Sequence, residues 1–241
     1  MANPGPTPSV FQLRREMVSI GARMYARGLI VAAEGNISAR LADGNILITP
    51  AGMCKGFMSP EDMAVVDPKG KQKQGTRKPS SEMLMHLAAL NARPDVGACV
   101  HGHPPYATAF AVAGIALADC ILPEVVATLG SVPLAEYATP STAAVGQSIE
   151  KYLDRFDAFL LKNHGVLTIG ADLEDAFRKM ETVERFAQIV HIARALKEPD
   201  HLDCRQVDEL LSLSGTLHSR FSGDETPVCG ACQVGAKRGS Q

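Results

Sequence analysis

Two spacings of apolar residues alternate along the chain, one typical of helices and one typical of strands. Apolar positions recur at helical spacing over residues 11–29 and 172–196, which predicts two amphipathic helices. Shorter apolar runs bounded by Gly, Asn and Asp predict strands, and "ADGN" between two of them predicts a hairpin turn. Residues 63–79 predict one strand followed by a polar loop rich in Gly and Lys.

The predicted helices and strands interleave, and several strands are joined by short turns. This order favours an α/β or α+β sandwich with a mixed sheet over a strictly parallel barrel. A chain of 241 residues without an internal repeat fits one large domain or at most two small ones. We predict a flexible leader over residues 1–10, a single domain over 11–220 and a disordered tail over 221–241.

Composition narrows the classes of partner and compartment. A net charge of -2, 5% aromatic residues and no tryptophan give no reason to expect a nucleic acid or an anionic membrane as a partner. No apolar run approaches the roughly 18–20 residues that span a bilayer, and the first ten residues lack the features of a secretion signal. The sequence therefore predicts a cytoplasmic protein.

Cys229 and Cys232 form half of a zinc or redox motif, and without a second pair an incidental tail feature is favoured.

Candidate chemistry gathers in "VHGH" (100–103) and "KNHG" (162–165), where histidines follow short apolar runs. If a strand continues into His101 and His103, its period of two points both imidazoles to one side of the sheet. Two such rings suit one metal ion, and they also suit two ordinary histidines at a strand end. His164 and Glu82, the latter at a predicted helix start, raise the number of candidate ligands to four, enough for zinc.

Each of these residues also has a structural interpretation. His164 would satisfy a loop backbone, and Glu82 would oppose the positive end of its helix dipole. His86 lies four residues after Glu82 and shares its helical face, so it is either a rival ligand or, as we favour, a packed core histidine.

Three predicted turns indicate an anion site. "EGNIS" (34–38), "TPAGM" (49–53) and "KPSSE" (78–82) each place Gly, Asn, Ser or Thr at a turn. Backbone N–H groups at such turns, with hydroxyls at a helix N-terminus, cradle a phosphate without a net positive patch. Lys55 or Lys78 would add positive charge. One such turn is usually only a turn, but three of them beside a candidate metal site indicate a binding site for an anionic substrate.

Five segments in this order, "GNISAR", "ITPAG", "KPSSE", "HGHPPYATA" and "LKNHG", resemble the class II (zinc-dependent) aldolase/adducin-head family. The resemblance extends from about residue 11 to about residue 215. It implies an α/β/α sandwich with a central mixed, largely antiparallel sheet. It also implies a C4 homotetramer with active sites at subunit interfaces, which rests on analogy alone.

The resemblance also implies the roles of particular residues. His101, His103 and His164 fall on the zinc ligands, and Glu82 falls on the glutamate that ligates the free metal and acts as acid or base. The adducin branch lacks the metal histidines, so their presence here disfavours a purely structural module. The residues that fall on the phosphate-binding turns are Gly35, Asn36, Ala51, Gly52, Ser80 and Ser81.

The activity implied is that of a metal-dependent aldolase. Such an enzyme cleaves a ketose 1-phosphate of the L-fuculose-1-phosphate type to dihydroxyacetone phosphate and a short aldehyde, through a metal-stabilised enediolate. Zn2+ is the expected cofactor, with Mn2+ or Co2+ as alternatives. "SSE" rather than "SSD" favours the aldolase over an L-ribulose-5-phosphate 4-epimerase-like enzyme. A dehydratase or decarboxylase of the same superfamily is a further alternative.

The chain departs from the family pattern in two places. L-fuculose-1-phosphate aldolase carries one tyrosine near the position of residues 123–124 and another in its C-terminal segment, and this chain has neither. Glu124 is either the nearest polar candidate for the aldehyde side of the site or a plain glutamate at a helix start. Ala51 stands where a hydroxyl residue is usual, which predicts weaker phosphate binding.

Overall fold

The computed structural model describes residues 8–213. The predicted tail over 221–241, with Cys229 and Cys232, lies outside the described residues, as do the first seven residues of the predicted leader. Ser9 caps the first helix, where its hydroxyl accepts the N–H of Gln12 at 3.3 Å. Within residues 8–213, every helix is too short or too polar to cross a lipid bilayer.

One eight-stranded sheet forms the centre of the molecule, in the order β4-β3-β2-β1-β5-β8-β7-β6. Neighbouring strands are antiparallel except β6 and β7, which are parallel. The predicted mixed, largely antiparallel sheet is therefore confirmed. The strands are β1 (Asn36–Arg40), β2 (Ile46–Ile48), β3 (Ala64–Val66), β4 (Gln72–Gln74), β5 (Ala98–Gly102), β6 (Leu134–Ala135), β7 (Ala158–Leu161) and β8 (Gly165–Gly170).

Helices cover both faces of the sheet and complete an α/β/α sandwich. One hydrophobic cluster contains the buried residues of α1, α3 and α6, and a second contains those of α2, α5 and α7. The short α4 contributes Val125 to the first cluster and Val126 to the second. The helices are α1 (Val10–Ala26), α2 (Met83–Ala92), α3 (Pro105–Ala113), α4 (Pro123–Thr128), α5 (Ala143–Glu150), α6 (Leu173–Leu196) and α7 (Cys204–Leu213).

The two central strands divide their side chains between these clusters. In β5, Ala98 and Val100 belong to the cluster under α1, α3 and α6, whereas Cys99 belongs to the cluster under α2. Because side chains alternate along a strand, His101 points to the α2 side with Cys99. In β1, Asn36 is paired with His101 and Ser38 with Cys99. Polar groups of β1 and β5 therefore share the sheet face that α2 covers.

The polar segment after β3 forms a strand, so the prediction of a single strand and a loop over 63–79 was wrong there. All three residues of β4 are exposed, and its pairing with β3 shifts register between Val65 and Val66. A tight turn joins the two strands, with the Gly70 N–H donating to Asp67 O at 2.8 Å. Backbone pairing with β3 holds β4, together with hydrogen bonds from the Gln72 amide to Gly75 O and Arg77 O. A pattern of polar residues gives no sign of such a strand.

Candidate active site

Two neighbouring strands bring the three candidate metal histidines to one end of the sheet. His101 lies in β5, and His103 follows one residue after the end of that strand. His164 lies in the tight loop between β7 and β8, after Asn163 in the left-handed region with φ of 57°. Asn is among the few residue types that adopt this conformation readily, and its backbone N–H donates to Ala111 O of α3 at 3.3 Å. The loop that carries His164 is thereby fixed against its neighbouring helix.

The three imidazoles converge on one point. Their ring centroids lie 4.8 to 5.0 Å apart, and one ligand atom from each ring lies within 4.8 Å of the others. The Nε2 atoms of His101 and His103 are 3.2 Å apart. Two nitrogens on a tetrahedral zinc with Zn–N near 2.1 Å are separated by about 3.4 Å, so this pair has the spacing of two ligands to one ion.

Glu82 closes the cluster from the start of α2. Its Oε1 lies 3.0 Å from Nε2 of His164, and its Oε2 lies 3.3 Å from Nε2 of His101. Burial of Glu82 opposes ionisation, but the interactions with these two imidazoles outweigh it and hold the pKa of the carboxyl well below its usual range. The residue is thus a carboxylate aimed at the centre of the cluster as well as the N-cap of its helix.

The hydrogen bonds of His101 show that a positive charge belongs at this centre. Nδ1 of His101 lies 2.8 Å from Val166 O, and a carbonyl only accepts, so Nδ1 carries the proton. If Nε2 carries no second proton, its lone pair faces the Glu82 carboxylate. A lone pair and a carboxylate oxygen 3.3 Å apart repel each other unless a proton or a cation lies between them. The donor set therefore fits a divalent cation.

His103 is held by a second carboxylate that the sequence pattern did not reveal as a site residue. Oε2 of Glu34 lies 3.4 Å from Nδ1 of His103, which favours the tautomer whose Nε2 is free to bind a metal. Burial, the largest cause, lowers the pKa of His103 to about 4. The ring is therefore neutral at pH 7 and needs to lose no proton to act as a ligand.

The three glycine- and serine-containing turns lie together beside this cluster. The Ala51 N–H donates to Lys78 O, and the Ser80 N–H donates to Thr49 O, each at 3.0 Å, so two of the turns are joined by backbone bonds. Gly35 in the third turn has φ of +68°, and a Cβ there would lie 2.8 Å from His101 O. Only glycine lets this turn approach the strand of His101 so closely.

Lys55 is a buried cation between the turns, and its burial was not predicted. Its Nζ donates to Ala33 O at 2.8 Å and to Met53 O at 2.7 Å, which links the turn before Gly35 to the turn after Gly52. The side chain is 2% exposed, and burial lowers its pKa. A lysine in a short polar segment gives no sequence sign of burial, because this residue type is nearly always exposed.

The predicted phosphate-binding residues are thus brought together, but not all of their groups are free. Ser80 and Gly35 are buried, whereas Ala51, Gly52 and Ser81 are exposed. The Asn36 amide donates to Oε2 of Glu82 at 2.9 Å, and the Ala51 N–H is already bonded to Lys78. The phosphate role of the six residues stays a prediction.

Glu124 lies apart from the histidines within this chain. It is in the first turn of α4 and lines a groove with Arg27, Glu181 and Arg185. No residue of the histidine cluster lines this groove. Its predicted role on the aldehyde side stays a prediction.

Fold and site together define an α/β/α enzyme domain with a three-histidine cluster that could hold a metal ion, adjoined by a carboxylate. The chain belongs to the class II aldolase and adducin N-terminal domain family, whose sequence model matches residues 15–191. Relatives in this family are aldolases and decarboxylases, so the chain is an enzyme of the lyase class.

Three comparisons describe the likeness. The chain is 37% identical over 183 residues to 3-oxo-tetronate 4-phosphate decarboxylase of Pectobacterium atrosepticum, covering 74% of this chain and 84% of that one. It is 33% identical over 183 residues to L-fuculose phosphate aldolase of Methanococcus maripaludis, covering 76% and 98%. A solved L-fuculose 1-phosphate aldolase matches with a TM-score of 0.80 and 29% identity, covering 87% of this chain and 99% of that one.

Proposed function

We propose that this protein is a metal-dependent lyase that breaks a carbon–carbon bond beside the ketone of a phosphorylated sugar or sugar acid. The observation that carries the proposal is the convergence of His101, His103, His164 and Glu82 on one point. The clustered turns around Gly35 and Lys55 lie next to it and would take the phosphate.

The three histidines, with Glu82 in the absence of substrate, would hold the metal. Zn2+ is the proposed ion, and Mn2+ or Co2+ also suit imidazole and carboxylate ligands. When bound, the ion supplies a Lewis acid for the ketone oxygen. His101 is oriented by Val166 O and His103 by Glu34, so the chain fixes both rings before the substrate arrives.

Glu82 is the proposed acid and base. In the cleavage direction the electron pair of the broken bond stays on the carbon beside the ketone. The Glu82 carboxylate first takes up a proton from solvent and then delivers it to that carbon. In the condensing direction the Glu82 carboxylate removes the same proton. The Asn36 N–H donor, 2.9 Å away, fixes the orientation of the carboxylate for both transfers.

The first candidate reaction is that of an aldolase acting on a ketose 1-phosphate of the L-fuculose-1-phosphate type. The bond between C3 and C4 breaks, the C4 hydroxyl loses its proton to become an aldehyde, and C3 gains a proton. The products are dihydroxyacetone phosphate and a short aldehyde. Solved and curated aldolases of this name among the relatives support it.

The second candidate is a decarboxylase acting on a 3-oxo sugar-acid phosphate. Relatives of this name share 36–37% identity with the chain. Loss of CO2 from a 3-oxo-tetronate 4-phosphate breaks the C1–C2 bond, and protonation at C2 leaves dihydroxyacetone phosphate. Both reactions therefore need Glu82 at the same carbon of the same product. Decarboxylation needs no group to take a proton from a C4 hydroxyl, which agrees with the missing tyrosines.

The two candidates are separated by their second product. Zinc-loaded protein is incubated with a set of ketose 1-phosphates and with 3-oxo-tetronate 4-phosphate, and a coupled reductase reports dihydroxyacetone phosphate. Aldehyde release identifies the aldolase, and CO2 release identifies the decarboxylase. Failure to form dihydroxyacetone phosphate from any of these compounds would reject the proposal.

We further propose that the chain assembles as a C4 homotetramer with a phosphorylated sugar as its small-molecule partner. Family membership supports the assembly, and so does the exposed ring of Phe57, which packs edge-on against Tyr25 at 5.0 Å. Native mass spectrometry at micromolar concentration gives the subunit count, and a monomer would contradict the proposal.

A further inference from the structure

A line of buried polar side chains runs from Glu82 into the core between α2 and the sheet. The Asn36 amide nitrogen donates to Glu82, and the amide oxygen of Asn36 is in short contact with Nε2 of His86. Nδ1 of His86 lies 2.7 Å from the Ser38 hydroxyl. Cys99 lies opposite Ser38 in the sheet. Ser38, His86 and Cys99 are fully buried and Asn36 is 2% exposed.

The direction of every bond in this line follows from the carboxylate at its end. Ionised Glu82 only accepts hydrogen bonds, so the NH2 group of Asn36 faces it and the amide oxygen faces His86. His86 must then carry its proton on Nε2, and its bare Nδ1 must accept the proton of Ser38. All groups donate toward the active site.

The surroundings keep each group in the required protonation state. Burial lowers the pKa of His86 to about 3, so the ring is neutral and has one donor and one acceptor at pH 7. No member can reverse its bond without leaving a neighbour unpaired in the core.

We propose that His86 is a positioning residue that fixes the amide of Asn36 and thereby the orientation of the Glu82 carboxylate. An asparagine amide has two nearly isosteric orientations, and only one of them presents a donor to Glu82. The Nε2–H of His86 selects that orientation, because the reversed amide would place two donors face to face. This inference rests on the proposed role of Glu82, and it extends that role into the core.

The test combines variants that keep or remove the Nε2 donor. His86→Leu removes both ring nitrogens, whereas His86→Gln keeps a donor for Asn36 and an acceptor for Ser38. Thr168→Val is the matched control, because Thr168 is fully buried in the same sheet and bonds Ala176 O at 2.8 Å without contacting the line. Melting temperatures report the structural cost of each change.

Two measurements report the orientation of Glu82. The first is zinc affinity, determined by competition with a chromophoric chelator. The second is exchange of solvent deuterium into dihydroxyacetone phosphate, which needs Glu82 but no aldehyde. We expect His86→Leu to weaken zinc binding or slow saturated exchange by about 10- to 100-fold, with half-saturation unchanged. His86→Gln should recover most of the loss, and Thr168→Val should lower only the melting temperature.

Histidine side-chain 15N spectra test the tautomer without any activity. We expect His86 of the zinc-loaded wild type to be the neutral Nε2–H form at pH 7, and Ser38→Ala to perturb its Nδ1 signal. An Nδ1–H tautomer or a charged ring would overturn the inference. So would a His86→Leu variant that matches Thr168→Val in zinc affinity and exchange. If the wild type exchanges no deuterium, the proposed function fails, while zinc affinity and the spectra still decide the role of His86.

Discussion

Glu82→Gln separates the chemistry of the site from its architecture. The carboxylate makes three contacts, at 2.9 Å to Asn36, 3.0 Å to His164 and 3.3 Å to His101. A glutamine of the same shape can still accept from Asn36 through its amide oxygen and can donate to an imidazole lone pair through its nitrogen. The contacts with Asn36 and His164 are therefore preserved while the basic oxygen is lost.

The expected effects on folding and on turnover differ in size. Because the side chain keeps its volume and partners, the free energy of unfolding should change by about 1 kcal/mol or less. General acid–base catalysis contributes about 10²- to 10⁴-fold to a rate, so proton exchange should fall by that factor, or about 3–5 kcal/mol in activation free energy. We therefore predict a large loss of exchange rate with little change in the free energy of unfolding.

Deuterium exchange into dihydroxyacetone phosphate measures the rate, because it follows proton transfer at the relevant carbon alone. Urea denaturation gives the free energy of unfolding of the same samples, and elemental analysis confirms equal metal content. Exchange within tenfold of the wild type in a metal-loaded Glu82→Gln protein would refute the assignment of Glu82 as the base.

Three further outcomes follow from the structure. His103→Ala should bind zinc at least tenfold more weakly, because only two imidazoles remain, and elemental analysis after dialysis measures it. Gly165→Ala should weaken zinc binding and cost about 1–3 kcal/mol of stability, because its Cβ would lie 2.5 Å from Cδ2 of His103, and calorimetry with zinc titration checks both. Lowering the pH from 7 to 4.5 should reduce the free energy of unfolding of the wild type by about 3 kcal/mol more than that of His86→Gln, as measured by urea denaturation. The reason is that His86 takes up a proton near pH 6.5 in the unfolded chain and only near pH 3 in the folded one.

Each of these outcomes has its own control. Full zinc content in His103→Ala would contradict its role as a ligand. Gly97→Ala crowds Ala171 O at the opposite end of β5, so it should destabilise the fold and leave zinc affinity unchanged. Equal acid sensitivity in His86→Gln and the wild type would show that the buried imidazole is not the group that resists protonation.

The convergence of the three histidines was predictable because these residues obey local rules. A histidine that follows an apolar run lies at the end of a buried strand, and two such histidines in the "HGH" pattern share one side. His103 lies one residue beyond β5 in the structure, yet its ring still reaches the Nε2 of His101. His164 can join the other two histidines only if its own strand lies beside theirs, and β8 is next to β5 in the sheet.

The supporting residues were not predictable, because they act through contacts between segments far apart in the chain. Lys55 bonds a carbonyl 22 residues away, and nothing in "MCKGF" indicates a buried cation. His86 was interpreted as a core histidine, and it is fully buried. Its link to Glu82 passes through Asn36, 50 residues away, so the spacing of Glu82 and His86 on one helix does not reveal it.

The two outer strands of the sheet limit how copies of this chain can meet. β4 presents only Gln72, Lys73 and Gln74 along its open edge, all exposed, and β6 at the other edge is two residues long. A lysine on an edge strand, or an edge strand of only two residues, opposes pairing with a strand of another molecule. Both edges therefore oppose continuation of the sheet from one molecule to the next. The contacts of the proposed tetramer would be made by helices and loops.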